Sequence, residues 1–248
     1  MTRSSRIRLD RLLVEQGLAA SREKAQAMIL AGLVLVGGQK VEKCGALAES
    51  EAALRILSGT SPYVSRAGLK LEGALSHFKV NPRGKICLDI GASTGGFTEC
   101  LLGHGAAKVF AVDAGTNQLD WKLRQDPRVV VMEKTNARHL RSEQLGERSD
   151  LVTMDVSFIS ATLILSAIPP LLSSQAEALI LVKPQFEVGR ENVGKGGIVR
   201  DARLHQEAVE KVSRKLEEVG LRVLAAMESV LPGAEGNREF FVHAVWKA

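Results

Sequence analysis

The chain of 248 residues has few aromatic residues and few cysteines. Aromatic residues make up 4% of it, and Tyr63 is its single tyrosine. The three cysteines, Cys44, Cys87 and Cys100, lie far apart in the sequence and form no C-x-x-C pair. This spacing argues against a disulfide framework and against a zinc site, and it is compatible with a reducing cytoplasm. We therefore expect a cytoplasmic protein that binds no metal.

Long apolar runs are also missing. No run reaches the roughly 18–20 residues that a membrane helix needs. The best candidate, residues 158–182, is interrupted by Pro169-Pro170 and by Ser173-Ser174-Gln175. It predicts a buried helix followed by a buried strand. The N-terminal residues MTRSSRIRLDR contain no apolar core segment, so they do not predict a secretory signal.

Charge is distributed unevenly between the two parts of the chain. Residues 1–83 contain 13 Lys and Arg against 7 Asp and Glu, a net charge of +6. Residues 84–248 contain 20 against 21, a net charge of −1. Because Lys and Arg displace counterions from phosphates, this basic first third indicates a polyanionic partner. On charge alone, the alternative is a basic surface that only keeps the protein soluble.

Residues 6–58 follow an αα-then-β pattern typical of a small module. Leu9, Leu12 and Leu13 share one face of a predicted helix, and Gly17 ends that helix. Ser21 is a good N-cap for a second helix. Gly37-Gly38 then predicts a hairpin turn between two short strands.

The motifs R-L-D, S-R-x-x-A and G-x-V-x-V-x-G in this module resemble the S4-type RNA-binding domain. The resemblance covers about fifty residues. It implies that basic side chains contact folded RNA, and a generic helical hairpin with surface charge is the alternative. The candidate RNA-binding residues are Arg8, Arg11, Arg22, Lys24, Lys40 and Arg66.

From residue 84 onward, strand-like and helical stretches alternate. The alternation predicts a mostly parallel sheet with helices on both faces. Residues 59–66 resemble a short linker, and an amphipathic helix precedes the first strand. The last two strands follow each other through LPGAEGN, so the final strand is expected to be antiparallel. The predicted strands are 86–90, 108–112, 128–132, 151–155, 178–182, 222–229 and 240–246.

A glycine-rich turn, LDIGASTGGFTECLL, follows the first strand of this region. Gly91, Gly95 and Gly96 allow close backbone approach to a ligand at a helix N-terminus. Asp89 precedes the turn, and Asp113 ends the next strand, where a carboxylate can accept hydrogen bonds from ribose hydroxyls. Asn136, after the third strand, is placed to contact an adenine. D-x-G-x-S-x-G-G lacks the G-x-G-x-x-G spacing of nucleotide oxidoreductases and favours a methyltransferase.

The same turn also matches G-x-S-x-G, the nucleophile elbow of α/β-hydrolases. In this alternative Ser93 is the nucleophile, with Asp155 and either His205 or His243 completing a triad. The order along the chain is correct. However, neither histidine falls on a loop after a strand, and the elbow does not explain the two strand-end aspartates.

Four charged residues are expected to meet at one edge of the sheet. Asp155 ends the fourth strand, and Lys183 follows the very apolar fifth strand. Glu239 precedes the antiparallel last strand, which starts at the edge where the others end. Lys70 lies on the helix ahead of the first strand and can fold over the site.

The order of these four residues and their sequence settings resemble the Lys-Asp-Lys-Glu tetrad of the FtsJ-like RNA 2'-O-methyltransferases. The settings, in chain order, are SRAGLKLE, MDVSFIS, LVKPQFE and NREFF. With the S4-type domain and GKGGIVRD at 194–201, the whole chain is similar to the TlyA family, often labelled hemolysin A. The resemblance implies an α/β fold, with a Rossmann-like seven-stranded methyltransferase domain (84–248) after a small α+β S4-type domain (1–60) and a linker with a leading helix (61–83).

The resemblance also implies S-adenosyl-L-methionine as cofactor and ribosomal RNA or ribosomal subunits as partner. We hypothesise that Lys183 removes the proton of a ribose 2'-hydroxyl and that Asp155 positions it, with Lys70 and Glu239 completing the network. Asn136 stands where many methyltransferases have Asp. The predicted cofactor-binding residues are Asp89, Gly91, Ser93, Gly95, Gly96, Phe97, Asp113, Asn136 and Asp155.

Two non-enzymatic alternatives follow from the same resemblance. The hemolysin label suggests a membrane-active toxin, although the sequence offers neither a span nor a secretion signal. An RNA-binding assembly factor with an inactive catalytic domain is the other alternative. The intact tetrad and the cofactor turn argue against it.

Overall fold

A computed structural model of the chain describes residues 6–19, 21–30, 32–43, 45–56, 62–233 and 236–246. The side chains of residues 23, 24, 27 and 56 lie outside the described part. The fold separates into two compact units, Met1–Ser61 and Pro62–Ala248. Residues 59–61 of the expected linker lie outside the described residues, whereas residues 62–66 belong to the second unit.

The first unit is a small α+β module. Its helices are Leu9–Glu15 (α1) and Arg22–Leu30 (α2). Its strands are Arg6–Arg8 (β1), Val34–Val36 (β2), Gln39–Lys40 (β3), Leu47–Glu49 (β4) and Leu54–Ile56 (β5). β1 pairs with β4, and β2 pairs with both β3 and β5, all antiparallel.

The core of this module lies between the helices and the strands. Leu9, Leu13, Ile29 and Val34 are all fully buried in it. The β2–β3 turn contains Gly37 and Gly38 with φ values of 58° and 83°, which favour glycine. The predicted hairpin is thus confirmed.

The second unit is built on one seven-stranded sheet. Its strands are Ile86–Ile90 (β6), Lys108–Val112 (β7), Val129–Met132 (β8), Ser149–Met154 (β9), Leu172–Val182 (β10), Leu221–Glu228 (β11) and Phe240–Trp246 (β12). The strand order is β11-β12-β10-β9-β6-β7-β8. β12 pairs antiparallel with β10 and with β11, and the other neighbouring strands pair in parallel. This confirms the predicted Rossmann-like α/β fold with a terminal antiparallel strand.

Helices cover both faces of the sheet. They are Ala67–Phe78 (α3), Gly96–Gly103 (α4), Trp121–Arg124 (α5), Ser142–Leu145 (α6), Thr162–Leu165 (α7), Pro184–Glu187 (α8) and Ala202–Glu218 (α9). Short 3-10 turns lie at Ala137–His139, Pro169–Leu171 and Arg190–Asn192. One apolar layer joins α7 and α9 to the sheet, and another joins α3, α4 and α5 to the opposite face.

The alternation of side chains along β6 shows why both faces are apolar. Leu88 and Ile90 pack on the α9 side, whereas Cys87 packs on the α4 side. Successive side chains of a strand point to opposite faces, so a strand that is covered on both sides reads as continuously apolar. The one charged residue in this strand is Asp89, and it is fully buried.

Candidate active site

The turn after β6 is held in a backbone conformation that glycine favours. Gly91 has a φ of 86° and Gly95 a φ of 100°, and Ser93 adopts 48°. A Cβ on Gly91 would lie 2.2 Å from the carbonyl oxygen of Asp155. A Cβ on Gly95 would lie 2.2 Å from Leu123. The turn is therefore pressed against the end of β9 and against α5.

Asp113, directly after β7, fixes this turn from the neighbouring strand. Its carboxylate accepts hydrogen bonds from the backbone N–H of Ser93 at 2.9 Å and of Gly115 at 2.6 Å. The N–H of Thr135, after β8, donates to the carbonyl of Asp113 at 2.9 Å. The ends of three parallel strands are thus joined around one residue, Asp113.

A cavity of about 380 Å³ lies at this carboxyl edge of the sheet. Its volume falls within the range of about 300–1,000 Å³ that is usual for small-molecule sites. Five of the nine predicted cofactor residues line it, namely Gly91, Ser93, Asp113, Asn136 and Asp155. Apolar side chains supply most of the remaining wall, including Val112, Val156, Ile159 and Ile164.

The predicted cofactor residues Gly95, Gly96 and Phe97 do not line this cavity. A Cβ on Gly96 would lie 2.2 Å from the hydroxyl of Ser65, so Gly96 allows close packing of α4 on the segment before α3. Phe97 is buried, and its ring lies 6.0 Å from that of Phe241. These positions shape the turn and the start of α4, and their contact with a cofactor stays a prediction.

Asp89, the remaining predicted cofactor residue, has its carboxylate inside the protein. It accepts hydrogen bonds from the hydroxyls of Thr98 at 2.7 Å and Thr153 at 3.2 Å. It thereby ties β6 to both α4 and β9. Burial raises the pKa of Asp89 to about 7, because the charged form is poorly solvated there.

This raised pKa predicts a pH-dependent stability. Between pH 4 and 7 the folded state binds a proton at Asp89 that the unfolded chain has released, so the free energy of unfolding falls as pH rises. We expect Asp89 to contribute a fall of about 2–4 kcal/mol across this range. Asp89→Asn, which can still bond both threonines, should flatten the profile when chemical denaturation is followed from pH 4 to 8.

The control for this measurement is Asp126→Asn. Its ion pair with Arg128 lowers the pKa of Asp126, so that carboxylate affects stability with the opposite sign and below pH 4. Parallel profiles for Asp89→Asn and the unmodified protein would mean that Asp89 ionises at the same pH in the folded and unfolded states.

The four predicted tetrad residues form two ion pairs. The Nζ of Lys70 lies 2.5 Å from Oε2 of Glu239, and both side chains are at least nine-tenths buried. The Nζ of Lys183 lies 2.6 Å from Oδ1 of Asp155 and donates to the hydroxyl of Ser157 at 2.8 Å. Each lysine therefore has a carboxylate partner from a different strand end or helix.

Strand register brings the two pairs to the same edge. Val182 pairs with Phe240 across β10 and β12, so the next residues along, Lys183 and Glu239, are neighbours at the ends of these strands. Asp155 follows β9, which pairs with β10 on its other side. The predicted convergence at this edge thus agrees with the sheet topology.

Asp155 is the residue that joins the cavity to the tetrad. It lines the cavity and pairs with Lys183, which does not line it. A molecule in the cavity and a molecule that approaches Lys183 would therefore meet beside Asp155. This geometry suits a transfer reaction between two substrates.

The sequence reasoning missed two side chains of this site, Ser157 and Phe158. Phe158 is 93% exposed, has a φ of 64° and lies 5.4 Å ring to ring from Phe186. An exposed aromatic residue in a left-handed conformation is unusual outside functional sites. The run VSFIS directly after Asp155 was the available signal.

The hydrolase alternative is not favoured by the positions of the two histidines. His205 has its Nε2 2.8 Å from the carbonyl oxygen of Val199. His243 has its Nε2 2.9 Å from Glu177, and this bond lowers the pKa of Glu177 to about 2. Asp155, which would orient the histidine of a triad, is paired with Lys183.

In the first unit, two predicted RNA-binding arginines converge on one buried carboxylate. Asp10 is fully buried and accepts hydrogen bonds from Arg8 at 2.9 and 3.0 Å, from Arg22 at 3.0 Å and from Gln26 at 2.7 Å. The Arg8 guanidinium holds the pKa of Asp10 well below its usual range. The R-L-D and S-R-x-x-A motifs thus meet at Asp10, and both arginines stay about half exposed.

The other predicted RNA-binding residues are more dispersed. Arg11 pairs with Glu15 within α1, and Lys40 pairs with Glu42. Arg66 precedes α3 in the second unit, and the side chain of Lys24 lies outside the described residues. RNA contact by all six residues stays a prediction.

Among the described residues, no helix is both long enough and apolar enough to cross a membrane.

Comparison with known proteins identifies both units. The FtsJ-like methyltransferase family matches residues 63–246, and the S4 domain family matches residues 7–45. The 16S/23S rRNA (cytidine-2'-O)-methyltransferase TlyA of Mycobacterium tuberculosis is 47% identical over 238 residues, which cover 96% of this chain and 89% of the relative. Hemolysin A of Brachyspira hyodysenteriae is 42% identical, with 96% of this chain and 100% of the relative covered.

A solved structure gives the same result at the level of the fold. A Streptococcus thermophilus protein, provisionally described as a hemolysin, has a TM-score of 0.77 and 41% identity. The match covers 98% of this chain and 90% of that protein. The predicted domain types agree with these matches. The chain therefore belongs to the FtsJ-like methyltransferase family and has an S4 domain ahead of its catalytic domain.

Proposed function

We propose that this enzyme transfers the methyl group of S-adenosyl-L-methionine to a ribose 2'-hydroxyl of ribosomal RNA. Membership of the FtsJ-like family supports methyl transfer, and the S4 domain supports an RNA substrate. The name of the Mycobacterium tuberculosis relative supports cytidine as the nucleotide. The observation that carries the proposal is the position of Asp155, which lines the cavity and pairs with Lys183.

The residues that line the cavity fit the proposed cofactor. Asp113 offers carboxylate oxygens to ribose hydroxyls, and Asn136 offers an amide to a purine edge. Apolar residues such as Val112 and Ile164 suit the faces of an adenine ring. When bound, S-adenosyl-L-methionine supplies a methyl group on a positively charged sulfur, which an oxygen nucleophile can attack.

Lys183 is the proposed base for the 2'-hydroxyl. In its neutral amine form, Lys183 accepts the hydroxyl proton at its Nζ, and the ribose oxygen becomes the nucleophile for the methyl group that the cofactor would supply. Asp155 holds the amine from the cavity side and stabilises the ammonium that results. Ser157 accepts a hydrogen bond from the same amine and fixes its direction.

Lys70 and Glu239 are proposed to hold the rim of the site in place. Their ion pair connects α3 to the start of β12, next to the strand that ends at Lys183. The two opposite charges compensate each other, so neither is left alone in a buried position. An ordered rim without net charge lets the substrate ribose approach Lys183.

The deciding test is transfer of radiolabelled methyl groups from S-adenosyl-L-methionine to ribosomal subunits and to naked ribosomal RNA. We expect labelled RNA in which alkaline hydrolysis leaves one resistant linkage, since a 2'-O-methyl group blocks cleavage. Label without a resistant linkage would move the target to a base and contradict the assigned role of the tetrad. Vesicle leakage caused by pure protein, without methyl transfer, would favour the hemolysin alternative.

A further inference from the structure

The segment 194–200, called here the basic glycine loop, is not used by the proposed mechanism. It closes on itself, because the N–H of Gly194 donates to the carbonyl of Ile198 at 3.0 Å and that of Gly197 donates to the carbonyl of Gly194 at 3.1 Å. Gly196 and Gly197 have φ values of 79° and 77°. Two successive residues with positive φ values favour glycine, so the sequence GKGG encodes a tight turn.

Asn237 anchors this loop from within the protein. Its side chain is buried, accepts a hydrogen bond from the N–H of Val199 at 2.9 Å and donates to the carbonyl of Gly197 at 2.8 Å. On the other side, the carbonyl of Val199 lies 2.8 Å from the buried His205. The loop is therefore held at a fixed position despite its glycines.

The anchor also places the loop beside the tetrad. Asn237 stands two residues before Glu239, whose carboxylate pairs with Lys70. The N–H of Gly233 donates to the carbonyl of Asn237 at 2.8 Å, and a Cβ on Gly233 would lie 2.5 Å from Oε1 of Glu239. The loop and the Glu239 carboxylate thus share the same short stretch of backbone as support.

The loop presents two cations beside this edge of the sheet. Lys195 and Arg200 are exposed, and they line a cavity of about 270 Å³. Among the residues that the structure describes, neither one forms an ion pair. Asp201 also lines the cavity, but its carboxylate is paired with Arg203 at 2.9 Å. The cavity therefore has a positive balance that suits a phosphate group.

We propose that the basic glycine loop binds a backbone phosphate of the substrate RNA close to the target ribose. Lys195 and Arg200 make the contact, and Asn237 is the positioning residue that holds the loop. The proposal rests on the proposed function, because it takes RNA as the substrate. It adds a substrate site in the catalytic unit to the basic residues of the S4 domain.

The test measures binding of the full-length protein to purified 16S and 23S ribosomal RNA, by filter binding across a salt series. We expect Lys195→Ala and Arg200→Ala each to weaken binding by about three- to tenfold and to make the slope of log K against log salt about 0.7–0.9 less negative. In methylation assays the KM for RNA should rise, while kcat and cofactor affinity stay unchanged.

Arg214→Ala is the matched control, because it removes one exposed cation from the C-terminal half of α9. Unchanged RNA affinity in both loop variants would overturn the proposal, and so would an equal loss in the control. RNA binding is measured without cofactor, so these results do not depend on methyl transfer. Failure of the proposed function would instead appear as absence of methylation by the unmodified protein.

The role of Asn237 is tested by a double-mutant cycle with Lys195. If Asn237 acts by holding the loop, Lys195→Ala should weaken RNA binding much less in an Asn237→Ala background than in the unmodified protein. Fully additive effects would remove Asn237 from the phosphate site. Cofactor affinity reports whether the catalytic unit of each variant is folded.

Discussion

Replacement of Lys183 by alanine is expected to lower kcat by about 10³-fold, within the range of 10²–10⁴ that a general base contributes. Cofactor affinity should change by less than about twofold, because Lys183 does not line the cavity. The measurements are single-turnover methylation of ribosomal RNA and equilibrium binding of S-adenosyl-L-methionine. Asp113→Ala is the contrasting variant and should weaken cofactor binding, since its carboxylate lines the cavity.

The variant Lys183→Arg distinguishes a role of Lys183 as a base from a role as a positive charge. A guanidinium keeps the charge but does not give up its proton in proteins, so it cannot accept the hydroxyl proton. We expect this variant to be as inactive as Lys183→Ala. Ser157→Ala, which removes the hydroxyl that accepts a bond from the amine, should reduce kcat by about tenfold or less. Substantial activity in Lys183→Arg would assign Lys183 an electrostatic role instead.

The sheet of the catalytic unit could be predicted because its strands are short apolar runs separated by polar helices. Three predicted strands, 86–90, 108–112 and 240–246, have the bounds that the structure shows. β10 is longer than predicted, since it starts at Leu172 rather than at Ala178. Polar residues at its start, such as Ser173, which bonds to Asp150, hid this extension.

The short helices were beyond sequence reasoning for a physical reason. α5, α6, α7 and α8 each contain four residues, about one turn. One turn cannot display the 3.6-residue period from which a helix is recognised. The residues 158–182 were expected to start with one buried helix, but the structure has α7 followed by a 3-10 turn at Pro169–Leu171. Proline at the start of that turn explains the break.

The site was predictable in position but not in every role. Strand ends and chain order indicated where Asp113, Asp155 and Lys183 would lie, because the carboxyl ends of parallel strands share one edge. Asp89 follows the same pattern in sequence, yet its partners are the hydroxyls of Thr98 and Thr153 inside the protein. An apolar strand pattern does not show how far a residue lies from the open end of its strand. A buried carboxylate and a carboxylate that faces a ligand therefore look alike in the sequence.

The ion pair between Lys70 and Glu239 gives the second large expected effect, this time on stability. Both side chains are at least nine-tenths buried, and their charged atoms lie 2.5 Å apart. Removal of one partner leaves the other charge buried without compensation, which costs about 3–5 kcal/mol. We expect Lys70→Met and Glu239→Met each to reduce the free energy of unfolding of the catalytic unit by about this amount.

The double variant Lys70→Met/Glu239→Met distinguishes a structural from a catalytic contribution. Replacement of a buried ion pair by apolar side chains is often neutral for stability, so the double variant should recover most of the lost free energy of unfolding. Activity should not recover with it, since the pair is proposed to order the rim on which the ribose approaches Lys183. The measurements are denaturant unfolding of the catalytic unit and single-turnover methylation. Recovery of stability and activity together would reduce Lys70 and Glu239 to a purely structural pair and leave Lys183 and Asp155 as the chemical centre.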